Sequence, residues 1–199
     1  MRISVFGLGY VGAVSCGCLA ALGHEVVGVD VVEGKVRSIQ SGKSPIVEKG
    51  LDQILAEAVR NGTLRATTDV AEAVRETEVA LVCVGTPSTP SGGVDSRHLE
   101  RVCRQIGNAV RGLDTKFFTV MNRSTSLPDV HQSLMDTLEM SSGSRLGDRI
   151  GYVCHPEFLR EGSALSDFFD PPKIVFGATD SRSQAICQDL YPRISAKSF

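Results

Sequence analysis

The chain has 199 residues, of which 42% are hydrophobic and 22% are charged, and its formal net charge is −2 at pH 7. This composition is typical of a globular protein, and the length fits one large domain or two small ones. The small net charge, the 6% of aromatic residues and the lack of tryptophan argue against nucleic acid or an anionic membrane as a partner.

Residues 3–23 contain no charged residue and follow Arg2, a pattern that secretory signal peptides and short membrane spans share. Glycines interrupt this run, however, where a signal peptide would favour leucine. We therefore interpret the run as a buried strand, a glycine turn and a buried helix.

Apolar, β-branched runs alternate with amphipathic stretches along the chain. Continuous apolar runs are typical of strands that are covered on both faces, so they predict strands at 2–6, 25–29, 79–84, 117–121, 150–154 and 173–177. The predicted helices are 10–23, 33–40, 50–61, 69–76, 97–111, 127–140 and 181–191. This alternation predicts an α/β fold with a doubly wound, mostly parallel, Rossmann-like sheet, and we expect residues 1–199 to form a single domain.

The segment GLGYVG follows the first strand and opens the first helix, with Gly7, Gly9 and Gly12 in the spacing of a dinucleotide-binding loop. A helix N-terminus offers unpaired N–H groups and partial positive charge to phosphates. Asp30 ends the next strand, where its carboxylate can accept hydrogen bonds from the ribose hydroxyls and repel a 2′-phosphate. Two valines follow rather than an arginine, so the pattern favours NAD over NADP. A glycine turn without a ligand is the alternative.

Two further polar loops follow predicted strands at the edge where open parallel sheets bind ligands. Thr86 follows the third long strand and can donate to the diphosphate or ribose of a cofactor. Ser124 and Thr125 follow the next strand. Ordinary capping roles are the alternative for Thr86 and Thr125.

The segment HPEFLREG (155–162) follows the strand 150–154 at the same edge. As one helical turn it would place Glu157 and Glu161 on one face, as one wall of a pocket. A solvated acidic turn is the alternative. His155 borders this site, or satisfies a carbonyl group at a strand end.

The six cysteines are irregularly spaced, which fits neither a disulfide framework nor a zinc site. Most lie in apolar surroundings, so we expect a reduced, cytoplasmic protein without a metal site. We expect His24, His98 and His131 to occupy surface or capping positions, because no metal-ligand spacing links them.

These motifs, in this order, resemble the UDP-glucose/GDP-mannose dehydrogenase family from residue 1 to about 191. The resemblance rests on FGLGYVG, GHEVVGVD, GKSPIVEKGL, CVGTPS, RST, PEFLREG and PPKIVFG. The forms GYVGAVSCGCLA and SPIVE look closer to the GDP-mannose enzymes than to the UDP-glucose enzymes. The resemblance implies an oxidoreductase of polysaccharide biosynthesis, in which two NAD oxidise the primary alcohol of GDP-mannose to GDP-mannuronate. A cysteine holds the intermediate aldehyde as a thiohemiacetal and then as a thioester.

The resemblance also implies roles for individual residues by motif match. Those that contact NAD, or order water near it, are Tyr10, Val11, Asp30, Lys35, Thr86 and Thr125, together with the loop glycines Gly7, Gly9 and Gly12. The substrate-binding segment is Glu157, Phe158, Leu159, Arg160 and Glu161. Within it, Glu161 contacts the substrate and Glu157 serves acid–base or water-positioning chemistry, and Thr125 is the third candidate catalytic residue.

The chain departs from the family pattern where catalysis is concerned. No cysteine lies in the G-G-x-C-x-P-K-D segment that carries the family's catalytic thiol, and the sequence lacks the central dimer helix and the second, nucleotide-gripping domain. His155 stands where asparagine is usual. We therefore expect the NAD-binding, N-terminal part of a longer architecture, inactive by itself, whose complete relatives are homo-oligomers that bind a nucleotide sugar.

Three functions stay open. The first is the cofactor domain of a nucleotide-sugar dehydrogenase that uses GDP-mannose or, alternatively, UDP-glucose. The second is a non-catalytic module that senses NAD or regulates a full-length homologue. The third is another NAD-dependent dehydrogenase, such as the β-hydroxyacid type, although PEFLREG and SPIVE do not belong to the pattern of those enzymes.

Overall fold

The computed structural model describes residues 1–89, 92–113, 117–192 and 194. The predicted domain also extends over 90–91, 114–116, 193 and 195–199, which lie outside the described residues. In chain order the elements are β1 (Arg2–Phe6), α1 (Tyr10–Ala21), β2 (Glu25–Val29), α2 (Glu33–Gln40), α3 (Leu51–Arg60), β3 (Leu64–Thr67), α4 (Val70–Glu76), β4 (Val79–Val82), α5 (Arg97–Arg111), β5 (Phe118–Asn122), α6 (Pro128–Ser142), β6 (Ile150–Cys154), α7 (Ala164–Phe169), β7 (Gly177–Ala178) and α8 (Ser181–Leu190).

The strands form one sheet in the order β3-β2-β1-β4-β5-β6-β7. All neighbouring pairs are parallel except β6 and β7, which are antiparallel. The chain winds outward from β1 to β3 and then continues on the other side of β1 with β4. This reversal leaves a crevice at the carboxyl ends of β1 and β4, where doubly wound sheets bind ligands. The prediction of a doubly wound, mostly parallel α/β sheet is confirmed.

Both faces of the sheet are covered by helices. Apolar residues of α1, α2, α3, α7 and α8 form a core on one face, and those of α4, α5 and α6 form a core on the other. Successive strand residues alternate between the two cores, as Val5 and Phe6 do. This arrangement explains why the strands have continuous apolar sequences, since each fully buried Val, Leu, Ile or Phe side chain contributes about 1.5–3 kcal/mol.

Two elements were not predicted from the sequence. The strand β3 extends the sheet beyond β2, and only Leu64 and Ala66 of its four residues are buried. A short, alternating strand at a sheet edge has no continuous apolar run, which is the pattern that identified the other strands. The helix α7 has six residues, too few for a helical period to be recognised.

The strand predicted at 173–177 is wrong in position. The structure has the two-residue strand β7 at Gly177–Ala178, which runs antiparallel to β6. The chain reverses because α7 is short and two prolines follow it, so that no full crossover helix returns the chain to the parallel direction. Within the described residues, no helix is both long enough and apolar enough to cross a membrane.

Of the two positions expected for His24, at the surface or as a cap, the structure shows the second, at the last residue of α8. His24 is buried, its Nε2–H donates to Leu190 O at 2.9 Å, and its Nδ1 lies 3.2 Å from the amino group of Met1. The histidine follows the turn at which the chain leaves α1 for β2, and α8 covers that turn through Leu190. Burial lowers the pKa of His24. His131 is half-buried, and its Nδ1 lies 2.6 Å from the Tyr152 hydroxyl.

Replacing His24 by glutamine should make the unfolding free energy fall less steeply as the pH decreases. Because the folded chain holds the pKa of His24 below its unfolded value of about 6.5, the unfolded chain takes up the proton first, and stability falls as the pH drops below that value. We expect the unfolding free energy of His24→Gln, measured by urea denaturation from pH 7 to pH 5, to fall less steeply than that of the wild type. His98→Gln alters an exposed histidine on α5 and is the control with a wild-type slope. An unchanged slope in His24→Gln would contradict the expectation.

Candidate functional site

The loop after β1 requires glycine at two positions for different reasons. Gly7 has φ +95°, in the left-handed region, and a Cβ there would lie 2.9 Å from Cys83 O. A Cβ on Gly12 would lie 1.7 Å from Gly7 O, so the helix can approach the loop only without a side chain. At Gly9, in contrast, a Cβ would meet no atom within 4 Å. The surface above Gly9 is therefore open, as a loop that receives a ligand requires.

The N-terminus of α1 is suited to bind an anion. Its N-cap residue, Gly9, makes no side-chain hydrogen bond, and no acidic residue lies in the first turn. The first N–H groups of the helix are therefore not capped by a side chain, and they carry the positive end of the helix dipole. This arrangement fits the pyrophosphate of a dinucleotide.

A continuous groove passes over Gly9. Its larger part, a cavity of about 500 Å³ beyond the ends of β1 and β2, is lined by residues that include Gly7, Gly9, Asp30, Lys35, Thr68 and Arg101. Its smaller part, a cavity of about 220 Å³ beyond the ends of β4 and β5, is lined by Gly9, Tyr10, Val11, Cys83, Val84, Gly85, Thr86, Arg123, Ser124, Thr125 and Glu157. The two cavities share Gly9, Cys83, Val84 and Gly85. We call them the larger and the smaller cavity below.

Asp30 is held in position by the backbone around the larger cavity. Its side chain accepts hydrogen bonds from Leu8 N–H at 2.7 Å and from Val32 N–H at 2.9 Å, and Lys35 Nζ lies 3.4 Å away. A carboxylate has about four acceptor positions, so oxygen lone pairs remain for the two hydroxyls of a ribose. The residue is only 9% exposed, so water screens its negative charge weakly. This charge would repel the 2′-phosphate of NADP.

The structure brings the three predicted polar loops together at the smaller cavity. Thr86 Oγ1 donates to Thr125 O at 3.1 Å, and Ser124 Oγ donates to Val84 O at 2.7 Å, so the loops after β4 and β5 are tied to each other. Glu157 contributes a carboxylate to the same wall. The hydroxyl side chains of Thr86, Ser124 and Thr125 and the carboxylate of Glu157 thus lie at the end of the groove away from Asp30.

The interpretation of HPEFLREG as one helical turn is wrong. Residues 155–160 have no regular secondary structure and 161–163 form a turn. The Glu157 side chain accepts the Leu159 N–H at 2.5 Å and lines the smaller cavity, whereas Glu161 is exposed and outside that lining. The two carboxylates therefore have separate environments.

The side chains between these two glutamates have different partners. The Arg160 guanidinium binds Asp167 at 2.7 Å and holds the pKa of that carboxyl at about 2. The Phe158 ring is exposed, with Lys173 Nζ 4.7 Å from its centroid. Leu159 is half-buried against the core on the α1 face. The segment is thus anchored through Arg160 and Leu159.

Glu48 is a residue at this site to which the sequence analysis gave no role. It is 8% exposed, and its carboxylate accepts hydrogen bonds from the Tyr10 hydroxyl, from Gly162 N–H at 2.9 Å and from Ala164 N–H at 3.2 Å. Burial, together with this carboxylate, raises the pKa of Tyr10 to about 12, and the Tyr10 hydroxyl lowers the pKa of Glu48. The only feature of the sequence that could have pointed to Glu48 is its place in the motif SPIVE. Glu48 fastens the 155–162 segment to the start of α1.

Alanine at Gly12 should destabilise the chain, whereas alanine at Gly9 should leave its stability almost unchanged. The Gly12→Ala methyl would overlap Gly7 O, so we expect a loss of about 3 kcal/mol of unfolding free energy and of NAD binding. The Gly9→Ala methyl enters open space, so stability should stay within about 0.5 kcal/mol while the Kd for NAD rises about tenfold. Denaturant unfolding and calorimetric titration measure these quantities. Tight NAD binding by both variants would contradict a groove over Gly9.

Glutamine at Glu48 should destabilise the chain in a pH-dependent way. Because the folded chain lowers the pKa of Glu48, its stabilisation is complete above the unfolded value of about 4.3 and is lost as the pH falls through the lower folded value. We expect the melting temperature of Glu48→Gln to lie about 4 °C below wild type at pH 7 and the difference to shrink at pH 3. Glu57→Gln, an exposed glutamate on α3, is the matched control. An equal difference at both pH values would exclude a role for the Glu48 charge.

Known proteins resemble the chain over almost its whole length. The sequence profile described as the UDP-glucose/GDP-mannose dehydrogenase family, NAD binding domain, matches residues 1–195. The GDP-mannose 6-dehydrogenases of Pseudomonas putida and Azotobacter vinelandii are each 49% identical to it over 197 residues, 98% of this chain and 45% of theirs. The UDP-glucose 6-dehydrogenase AglM of Haloferax volcanii is 36% identical over 192 residues, 96% of this chain and 44% of its own.

Solved structures show the same similarity in three dimensions. A GDP-mannose dehydrogenase from Pseudomonas aeruginosa, solved as a ternary complex, has a TM-score of 0.97 and 44% identity, over all of this chain and 46% of that one. A UDP-glucose dehydrogenase from Pyrobaculum islandicum has a TM-score of 0.93 and 37% identity, over all of this chain and 45% of that one. The chain thus spans less than half the length of these relatives. It belongs to the UDP-glucose/GDP-mannose dehydrogenase family and corresponds to the NAD-binding domain of that family.

Proposed function

We propose that the chain is the NAD-binding part of a nucleotide-sugar 6-dehydrogenase that oxidises GDP-mannose to GDP-mannuronate in its complete form. The observation that carries the proposal is the groove over Gly9, which has Asp30 at one end and Glu157 at the other. GDP-mannose is favoured because the relatives with that name are 45% to 49% identical, against 35% to 36% for those named after UDP-glucose. UDP-glucose is the second candidate substrate.

Different residues of the groove bind different parts of NAD. Asp30 accepts the hydroxyls of the adenosine ribose, and the N-terminus of α1 binds the diphosphate. Tyr10, Val11 and Thr86 of the smaller cavity would hold the nicotinamide end. When bound there, NAD supplies a hydride acceptor for the alcohol of the sugar.

Glu157 and Thr125 are the polar groups of the chain that we assign to chemistry at this end. One oxygen of Glu157 is occupied by Leu159 N–H, and the other is available to take the alcohol proton or to hold a water molecule. Thr125 is exposed at the same cavity and can order that water. Glu161 and the exposed ring of Phe158 meet the substrate outside the cavity, while Leu159 and the Asp167-bound Arg160 hold the segment in place.

The cysteines support the proposal that this chain alone does not complete the two-step oxidation. A thiolate is the nucleophile that holds an aldehyde, and it forms readily only when the thiol pKa is low. Burial raises the pKa of Cys18, Cys83, Cys103 and Cys187 to about 12, and also raises that of Cys16 and Cys154. A non-catalytic NAD-binding module is therefore the second candidate function.

The assembly and location of the complete protein belong to the same proposal. We infer a homo-oligomer that binds a nucleotide sugar, on the basis of the family resemblance. We infer a cytoplasmic location because five of the six cysteines are buried as small apolar side chains and all six are free thiols. We also treat residues 1–199 as one cofactor-binding domain.

The purified chain should bind NAD without forming NADH from GDP-mannose. Calorimetric titration should show NADP binding at least about tenfold more weakly, because Asp30 repels the 2′-phosphate, and Asp30→Ala should weaken NAD binding about tenfold. Asp136→Ala, on the exposed face of α6, is the control with wild-type affinity. Absence of NAD binding would contradict the proposed function. Turnover of GDP-mannose, followed by NADH absorbance, would instead show that the chain is catalytically complete.

A further inference from the structure

Arg123 places a buried positive charge at the smaller cavity. It follows β5 directly, lines that cavity, and is only 5% exposed. Arginine stays protonated at any pH that a protein experiences, so this charge is permanent. In the sequence, Arg123 is distinguished only by its place in the motif RST.

The two hydrogen-bond partners of this guanidinium are neutral. Its Nη1 lies 2.6 Å from His155 Nε2 and donates to the Tyr191 hydroxyl at 3.0 Å. His155 Nδ1–H donates to Val175 O at 2.9 Å, so its Nε2 carries the lone pair that Arg123 requires. Burial and the Arg123 charge hold the pKa of His155 well below its usual range, which agrees with a neutral imidazole.

Arg123 has no acidic ion-pair partner among the described residues. Among residues 1–89, 92–113, 117–192 and 194, none forms an ion pair with it within 4.0 Å, and its buried Nε has no hydrogen-bond partner. A buried charge without a counter-ion is screened weakly by water and acts on any ligand in the adjoining cavity. The other charge at this cavity, Glu157, is more exposed and therefore better screened.

We propose that Arg123 sets the redox balance of the bound cofactor, by favouring the reduced over the oxidised nicotinamide. The inference rests on the proposed function, in which the nicotinamide ring occupies the smaller cavity. The oxidised ring carries a positive charge, which Arg123 repels. When a hydride passes from the sugar carbon to the ring, the ring becomes neutral, and the alcohol proton leaves toward Glu157. The reduced cofactor is thus stabilised relative to the oxidised one, and hydride transfer to it is promoted.

The size of the effect follows from Coulomb's law. Two unit charges about 10 Å apart, at an effective dielectric constant of about 20, change a binding ratio by about tenfold. For a two-electron couple, a tenfold change corresponds to about 30 mV in the reduction potential of the bound cofactor. The measurable quantity is the ratio of the Kd for oxidised NAD to the Kd for NADH.

The experiment is to titrate the chain with oxidised NAD and with NADH, by calorimetry, and to compare this ratio between variants. Arg123→Met and Arg123→Gln remove the charge and should lower the ratio about tenfold. Arg123→Lys keeps the charge and should retain the ratio within about twofold. Arg104→Met, an exposed arginine on α5, is the matched control with an unchanged ratio. Glu157→Gln removes the opposite charge and should raise the ratio.

The neutral variants are expected to fold. The Tyr191 hydroxyl lies 2.7 Å from His155 Nε2, so these groups keep a hydrogen bond without Arg123, and replacing an uncompensated buried charge by an apolar side chain is often stabilising. Thermal unfolding shows whether each variant is folded. If Arg123→Met does not fold, the ratio of Arg123→Gln is compared with that of the wild type. A wild-type ratio in a folded neutral variant overturns the inference, as does a loss in Arg123→Lys equal to that in Arg123→Met. If the wild-type chain binds neither form of the cofactor, the proposed function fails first.

Discussion

The close approach of α1 to the loop after β1 is the constraint on which the groove depends. The helix can begin where it does only because Gly12 leaves room for Gly7 O, at a point where a Cβ would lie 1.7 Å from that oxygen. This contact directs the uncapped N-terminus of α1 into the crevice between β1 and β4 and leaves the surface above Gly9 open. Backbone atoms therefore form the floor of the groove, and the surrounding side chains determine which ligand it binds.

The Glu48 carboxylate joins the start of α1 to the 155–162 segment. Glu48 accepts hydrogen bonds from Tyr10 at the start of α1 and from the backbone of Gly162 and Ala164, which lie far away in the sequence. The 155–162 segment is consequently held in one position relative to the cofactor loop, and Glu157 with it. The start of α1 and the 155–162 segment share this carboxylate, and because it is buried, water does not readily replace its hydrogen-bond partners.

The charge that lines the groove changes from negative at Asp30 to positive at the N-terminus of α1 and at Arg123. Asp30 offers acceptors to ribose hydroxyls, the N-terminus of α1 offers partial positive charge to phosphates, and Arg123 places a full positive charge at the far end. In the proposal for Arg123, only this last group meets a ligand charge of its own sign, on the oxidised ring. Reduction of the ring would remove that repulsion, so the buried charge would shift the balance between the two forms of the cofactor.

The sequence by itself determined the sheet, the glycine loop and the acidic residue after β2, because strand hydrophobicity, backbone freedom and motif spacing are local properties. It missed β3, which is short and half-exposed, and it wrongly made HPEFLREG a helical turn, because Arg160 pairs with Asp167 and Glu157 caps Leu159 N–H instead. The roles of Glu48 and Arg123 were decided by tertiary structure alone. Whether a buried polar side chain is satisfied or left free for a ligand depends on partners that are distant in sequence, and only packing brings those partners together.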